Sequence, residues 1–120
     1  MTTVLILGKI LFAGYFIYSG LNHLFSIEGM TGYAKSRNLP AAKASVIVSG
    51  FWILLGGIGV LFGLYTKWAL GMIGLFLLAT SFLMHNFWSD TDPNMKMGNM
   101  VNFGKNMALL GACLMMIATI

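Results

Sequence analysis

The chain has 120 residues, of which 58% are hydrophobic and only 8% are charged, whereas soluble domains carry about a quarter charged residues. A single domain of this length cannot hide so much apolar surface from water, so the composition excludes an ordinary soluble fold and predicts an integral membrane protein. The net charge of +4 is spread along the chain, which suits contact with anionic lipid and does not form the basic patch of a nucleic-acid-binding protein.

Four apolar runs are long enough to cross a bilayer as helices, which takes about 20 residues each. They are approximately Val4–Phe25, Ala41–Leu64, Lys67–Trp88 and Asn99–Ile120. The first run has no basic segment before it and no small-residue cleavage site, so we expect a retained helix and not a signal peptide. The two residues between the second and third runs allow only antiparallel neighbours. The predicted fold class is all-α: one domain, residues 1–120, forming an up-and-down bundle of four transmembrane helices.

The segment Ser26–Leu39, between the first two spans, has a different pattern. Ile27, Met30 and Ala34 recur at helical spacing while the charged residues lie largely elsewhere. This pattern predicts a short amphipathic helix lying at the membrane interface.

Local sequence signals mark helix ends after the first span and before the fourth. Asn38 is a predicted helix stop, and Pro40 is a predicted first-turn residue of the second span. Asp92-Pro93 predicts a helix start that leads through Met95–Met100 into the fourth span. The side of the bundle that carries the loops Ser26–Leu39 and Ser89–Gly98 has more Lys and Arg than the opposite side. The positive-inside rule therefore predicts that these loops face the cytoplasm.

Polar and aromatic side chains recur at helical spacing near this same side of the bundle. Ionisable and amide groups are costly inside a bilayer, so they are expected to face the bundle interior. We therefore predict a polar, aromatic-lined pocket open to one side, above a dry floor. The candidate ligand-binding residues are Tyr15, Tyr18, Asn22, His23, His85, Trp88, Asn102, Lys105 and Asn106.

Small residues predict close helix packing in two places. Gly59 and Gly63 are spaced for contact along the second span, and Gly104, Ala108 and Ala112 form a similar stripe on the fourth. Either stripe could pack within the monomer or against another subunit.

The polar residues leave other interpretations open. The same side chains could only hold the helices in register, because buried polar groups need hydrogen-bond partners whatever their role. His23 and His85 could bracket a haem iron, and Met95, Met97 and Met100 could offer thioethers to Cu(I). Nothing further in the sequence favours haem or copper.

A catalytic constellation is not evident. The three carboxylates, Glu28, Asp90 and Asp92, are all in predicted loops, and Cys113 is the single cysteine. The pattern therefore contains no complete active site, metal cage or CxxC pair. It favours an accessory protein over an enzyme acting alone.

Six segments carry a family resemblance that extends over almost the whole chain. They are Gly8-Lys9 leading to Phe16, Ser19-Gly20-Leu21-Asn22-His23-Leu24, Asn38-Leu39-Pro40, Gly56-Gly57 before Gly63-Leu64, Met84-His85-Asn86-Phe87-Trp88, and Val101-Asn102-Phe103-Gly104-Lys105-Asn106-Met107-Ala108-Leu109-Leu110-Gly111. Together they resemble the DoxX family of small bacterial membrane proteins. The chain departs from many members at Ile53, where they carry an acidic residue, and at His23, where they carry Lys or Arg.

The resemblance implies a four-helix protein of the bacterial inner membrane. Some relatives are subunits of thiosulfate:quinone oxidoreductase, and others are associated with membrane complexes that handle oxidative stress. It therefore implies an accessory subunit of a membrane redox complex, with a quinone or lipid head group as ligand. The expected partners are membrane lipid and other membrane subunits, or a second copy of the chain. The alternatives are a structural interaction protein and, with less support, a small transporter, which would need polar groups across both leaflets.

Overall fold

The computed structural model describes residues 2–120, which form helices and connecting turns. The helices are α1 (Thr2–Phe25), α2 (Ile27–Ser36), α3 (Ala42–Phe62), α4 (Thr66–Met84) and α5 (Pro93–Thr119), with a short 3₁₀ helix at Phe87–Ser89. All except α2 and the 3₁₀ helix are long and apolar enough to cross a membrane. This confirms the predicted all-α bundle of four spans, with one additional short helix after the first.

The spanning helices pack in a row of neighbours. α1 packs on α3, α3 on α4 and α4 on α5, while α2 packs chiefly on α3. Large apolar side chains such as Phe16, Ile53 and Leu77 are fully buried between the spans. A second small cluster of Ala34, Val46 and their neighbours attaches α2 to the start of α3. By contrast, α1 and α5 do not pack extensively on each other within the described residues.

Glycines on α3 set how closely the neighbouring helices approach. A Cβ atom added to Gly57 would lie 2.8 Å from Ile17 Cγ1 on α1, and one added to Gly56 would lie 2.9 Å from Ile73 Cγ1 on α4. These distances are shorter than van der Waals contact, so α3 is held tightly on both sides. Such close approach between helices is the usual reason for small residues in membrane bundles.

Gly63 has a different role from the predicted one. Gly59 contacts Ala69 of α4, but a Cβ at Gly63 would meet nothing within 4 Å. Gly63 instead ends α3 in the left-handed region, with φ of 70°, and the Leu64 N–H donates to the Gly59 carbonyl at 2.8 Å. Gly63 therefore belongs to a helix-ending motif, while Gly59 provides the close contact with α4.

Two predicted span ends, those at Trp88 and Asn99, were wrong by several residues, and Pro40 was wrongly placed in the first turn of the second span. α4 ends at Met84 and not at Trp88, because the backbone leaves helical geometry at His85, with φ of −116°. α5 begins at Pro93, which confirms the Asp92-Pro93 start signal but lies before the predicted span at Asn99; the Asp92 carboxylate caps the helix by accepting from the Met95 N–H at 2.9 Å. α3 begins at Ala42, after Ala41 in a left-handed conformation, so Pro40 lies outside the helix.

Candidate functional site

A cavity of about 450 Å³ lies at the end of the bundle that carries α2, called the α2 end below. Its apolar lining includes Phe16, Phe76 and Leu77, and no carboxylate lines it. The polar groups that line it are those of Tyr15, Ser19, His23, Tyr33, Ser45, Ser49, Thr80, His85, Lys105 and Asn106. The cavity therefore combines apolar walls with hydrogen-bonding groups contributed by five helices or their ends.

The structure brings together five of the predicted ligand-binding residues at this cavity: Tyr15, His23, His85, Lys105 and Asn106. It does not bring the other four there, namely Tyr18, Asn22, Trp88 and Asn102. On α1 the cavity is lined by Tyr15, Ser19 and His23, which follow one another at four-residue intervals.

Each of the four other residues has an identifiable environment. Tyr18 is 69% exposed, and the Asn22 side chain is exposed and accepts a hydrogen bond from Ser26. Trp88 lies beyond the end of α4 and packs against Phe82 and other aromatic rings. Asn102 is half-buried on α5 but outside the cavity lining.

His23 is held by α3. Its Nδ1 lies 3.2 Å from the Val46 carbonyl oxygen and 3.0 Å from the Ser49 hydroxyl. Ser49 itself donates to the Val46 carbonyl at 3.1 Å, and the Phe76 ring packs against the imidazole at a centroid distance of 6.0 Å. The imidazole is therefore fixed in position while only 8% of the residue remains exposed.

His85 is held by Asn99, which is not among the nine predicted ligand-binding residues. The His85 Nδ1 lies 3.2 Å from the Asn99 Oδ1, which also accepts from the Tyr33 hydroxyl at 3.3 Å. The Asn99 amide nitrogen donates to Asp90 at 2.8 Å. Asn99 is only 4% exposed and connects the end of α4, the interfacial helix α2 and the loop before α5.

An ion pair between Arg37 and Asp90 completes this network. The Arg37 Nη1 lies 2.5 Å from the Asp90 Oδ1, and both side chains are nearly buried. Arg37 also donates to the Asn86 carbonyl at 3.3 Å and to the Asn86 side chain. The hydrogen bond from Arg37, followed by that from Asn99, holds the pKa of the Asp90 carboxyl below its ordinary value.

Lys105 and Tyr15 meet where α1 and α5 face each other without extensive backbone contact. The Lys105 ammonium donates to the Tyr15 hydroxyl at 3.4 Å and lies 5.6 Å from the centre of the Tyr15 ring. Both side chains are exposed, and both line the cavity. The gap between the α1 and α5 backbones is thus bridged by these two side chains.

Comparison with known proteins identifies the family. The family model of DoxX matches residues 4–86, which cover α1 to the end of α4. The chain belongs to the DoxX family. It is 24% identical over 116 residues to the inner membrane protein YphA of Escherichia coli (strain K12), covering 97% of this chain and 82% of that protein. No solved structure matches it.

Family membership and the four candidate spans together establish this DoxX protein as an integral protein of the inner membrane. The family match contains Tyr15, His23 and His85, while Asn99 and Lys105 lie beyond it.

The three methionines considered as Cu(I) ligands, Met95, Met97 and Met100, are all exposed near the start of α5. Among residues 2–120, no group of three or more His, Cys, Asp or Glu side chains is arranged to hold a metal ion. Cys113 is free and buried in the apolar core.

Proposed function

We propose that this DoxX protein binds the head group of an amphipathic membrane molecule, with a quinone as the leading candidate, in the cavity at the α2 end. We propose further that it acts as an accessory subunit of a membrane redox complex. The observation that supports the proposal is the grouping of two imidazoles and one ammonium around a cavity with apolar walls in a membrane-spanning bundle.

The size and lining of the cavity support a small organic ligand. Its volume of about 450 Å³ falls within the range of about 300–1,000 Å³ that is common for small-molecule sites. Such sites combine apolar walls with a few placed polar groups. The walls at Phe16 and Phe76 suit a flat ring, and His85 and Lys105 suit oxygen atoms at its edge.

The gap between α1 and α5 supports a ligand with a long tail. Only side chains bridge this gap at Tyr15 and Lys105, and long side chains can move aside at little cost. An isoprenoid tail could therefore leave the cavity sideways into lipid while the head group stays inside. A soluble metabolite would not need such a lateral path.

The subunit role is supported by the family resemblance. Some DoxX relatives are subunits of quinone-dependent oxidoreductases, and residues 4–86 of this chain match the family model. The side chains around the cavity supply binding groups but no carboxylate and no thiol. An electron donor would then be supplied by another subunit.

Titration of a short-chain quinone, in its oxidised and in its reduced form, into the purified protein tests the ligand. We expect micromolar affinity for at least one form, corresponding to about −8 kcal/mol, and clear weakening of the tighter-binding form in His85→Ala. The matched control is Asn102→Ala, because Asn102 lies on α5 near the cavity but does not line it. Absent binding, or equal weakening by both substitutions, would contradict the proposal and favour a purely structural role for the polar residues.

A further inference from the structure

The hydrogen-bond partners of His85 determine which of its ring nitrogens carries the hydrogen. An ionised carboxylate only accepts, so the Asn99 amide nitrogen must face Asp90, from which it lies 2.8 Å away. The Asn99 oxygen then faces the His85 Nδ1 at 3.2 Å. Because an amide oxygen also only accepts, Nδ1 of His85 must donate.

The same reasoning applies independently to His23. Its Nδ1 lies 3.2 Å from the Val46 carbonyl oxygen, which only accepts. The Ser49 hydroxyl already donates to that carbonyl, so its oxygen is available to accept from His23 as well. Nδ1 of His23 therefore carries a hydrogen too.

The opposite ring nitrogen, Nε2, has no hydrogen-bond partner on either histidine among residues 2–120. The Lys105 ammonium lines the same cavity and no carboxylate does, so a further positive charge on an imidazole is disfavoured by burial and by like-charge repulsion. Neutral imidazoles with hydrogen on Nδ1 leave Nε2 as an acceptor. Two acceptors, contributed by α1 and by the end of α4, therefore belong to one cavity.

We infer that the cavity selects a head group that donates hydrogen bonds, and thus the hydroquinone form of a quinone over its oxidised form. This inference rests on the proposed function and specifies the ligand of the same site. A hydroquinone hydroxyl can donate to an imidazole Nε2 and still accept from the Lys105 ammonium. A quinone carbonyl can accept from Lys105 but would place lone pairs against the lone pair of Nε2.

Asn99 and Asp90 are positioning residues in this arrangement. Neither lines the cavity, and both act through the tautomer of His85. Loss of their constraint would allow the hydrogen of His85 to reside on either nitrogen. The site would then accept a carbonyl or a hydroxyl at His85 with less discrimination.

The test uses the full-length protein in lipid nanodiscs and a series of probes with the same ring. The probes are a short-chain hydroquinone, its monomethyl ether, its dimethyl ether and the corresponding quinone. We expect affinity to fall with each hydroxyl removed, because an imidazole acceptor is then left without a donor. We expect the quinone to bind about tenfold more weakly than the hydroquinone, which corresponds to about 1.4 kcal/mol. The ethers remove donors without any change in oxidation state.

A positioning variant and a direct probe of the histidines complete the test. We expect Asn99→Leu to bind the quinone and the hydroquinone with similar affinity; if this variant does not fold, Asp90→Asn makes the same test. Nuclear magnetic resonance of nitrogen-labelled histidine should show hydrogen on Nδ1 and none on Nε2 for His23 and His85. Hydrogen on Nε2 in the wild type would overturn the inference.

The outcomes separate this inference from the proposed function. Equal affinity across the probe series, with all probes weakened by His85→Ala, would overturn the donor selectivity but leave quinone binding in place. Binding of no probe at all would overturn both. A ranking from hydroquinone to dimethyl ether that His85→Ala abolishes would support both.

Discussion

The two ends of the bundle are held together by different kinds of contact. At the end where α3 turns into α4, Gly56 and Gly59 bring the backbones close, and the packing there is apolar. At the α2 end, α1 and α3 also approach closely, at Gly20 and Gly50, but a cavity lies among the helices, and side-chain hydrogen bonds and the Arg37–Asp90 ion pair connect α2, the end of α4 and α5. The first end is therefore held by apolar packing alone, whereas the α2 end combines one close helix pair with a polar network around a cavity.

Gly56→Leu is the strongest way to test the tightly packed end. Its Cβ would lie 2.9 Å from Ile73 Cγ1 and 3.3 Å from the Ala69 carbonyl oxygen. We expect the free energy of unfolding to fall by about 3 kcal/mol, because overpacking forces the helices apart. Thermal unfolding in detergent measures this. The control is Gly71→Leu, since nothing lies within 4 Å of a Cβ there, and equal stability of the two variants would contradict the comparison.

Asn99→Ala tests the polar network at the α2 end. It removes the partner of His85, Tyr33 and Asp90 together. We expect a loss of about 1–3 kcal/mol in the free energy of unfolding, because buried polar groups lose their partners. Asn102→Ala, one turn further along α5, should change it by less than about 0.5 kcal/mol. If Asn99→Ala lowers the free energy of unfolding no more than Asn102→Ala does, the network contributes little to stability.

Acid titration tests the ion pair in the same network. The pKa of Asp90 is lower in the folded protein than in the unfolded chain, so its stabilisation is fully present above the ordinary value of about 3.9. It is lost as the pH falls through the lower, folded-state pKa. The difference in melting temperature between wild type and Asp90→Asn should therefore be largest near neutral pH and should shrink at acidic pH. A difference that is independent of pH would contradict the assignment.

Lys105→Leu should have the smallest effect on stability and a clear effect on binding. Lys105 is exposed and its hydrogen bond to Tyr15 is long, at 3.4 Å. We expect a change of less than about 0.5 kcal/mol in the free energy of unfolding, with weaker binding of a short-chain quinone. Parallel melting and titration experiments measure both quantities. Collapse of the fold in this variant would show that the charge serves the bundle and not a ligand.

The spans could be predicted from sequence because hydropathy and run length are local properties. The predicted stop at Asn38 was also correct: Asn38 has a positive φ of 62° and the Leu39 N–H donates to the Ala34 carbonyl at 3.1 Å. Helical spacing placed Tyr15 and His85 among the polar faces of their helices, and both line the cavity. Trp88 was misplaced because its predicted position assumed that α4 continues beyond Met84.

The network around Asn99 could not be predicted from helical spacing. Arg37 and Asp90 are 53 positions apart, and their contact depends on how the loop after α4 returns over α2. Asn99 was taken as the first residue of a span, whereas it lies in the second turn of a longer helix. One usable signal was present: a single Arg and two Asp residues in the loops of the same side.

Because of the gap between α1 and α5, the affinity of a membrane ligand must be expressed relative to its concentration in the bilayer. A molecule that enters through this gap arrives from within the bilayer, where it diffuses in two dimensions and is far more concentrated than in water. Its occupancy of the cavity then depends on its mole fraction among the lipids and not on its molarity in the buffer. Adding detergent or lipid at a fixed total amount of ligand should lower occupancy by dilution alone, so titrations are comparable only at a constant ratio of lipid to protein.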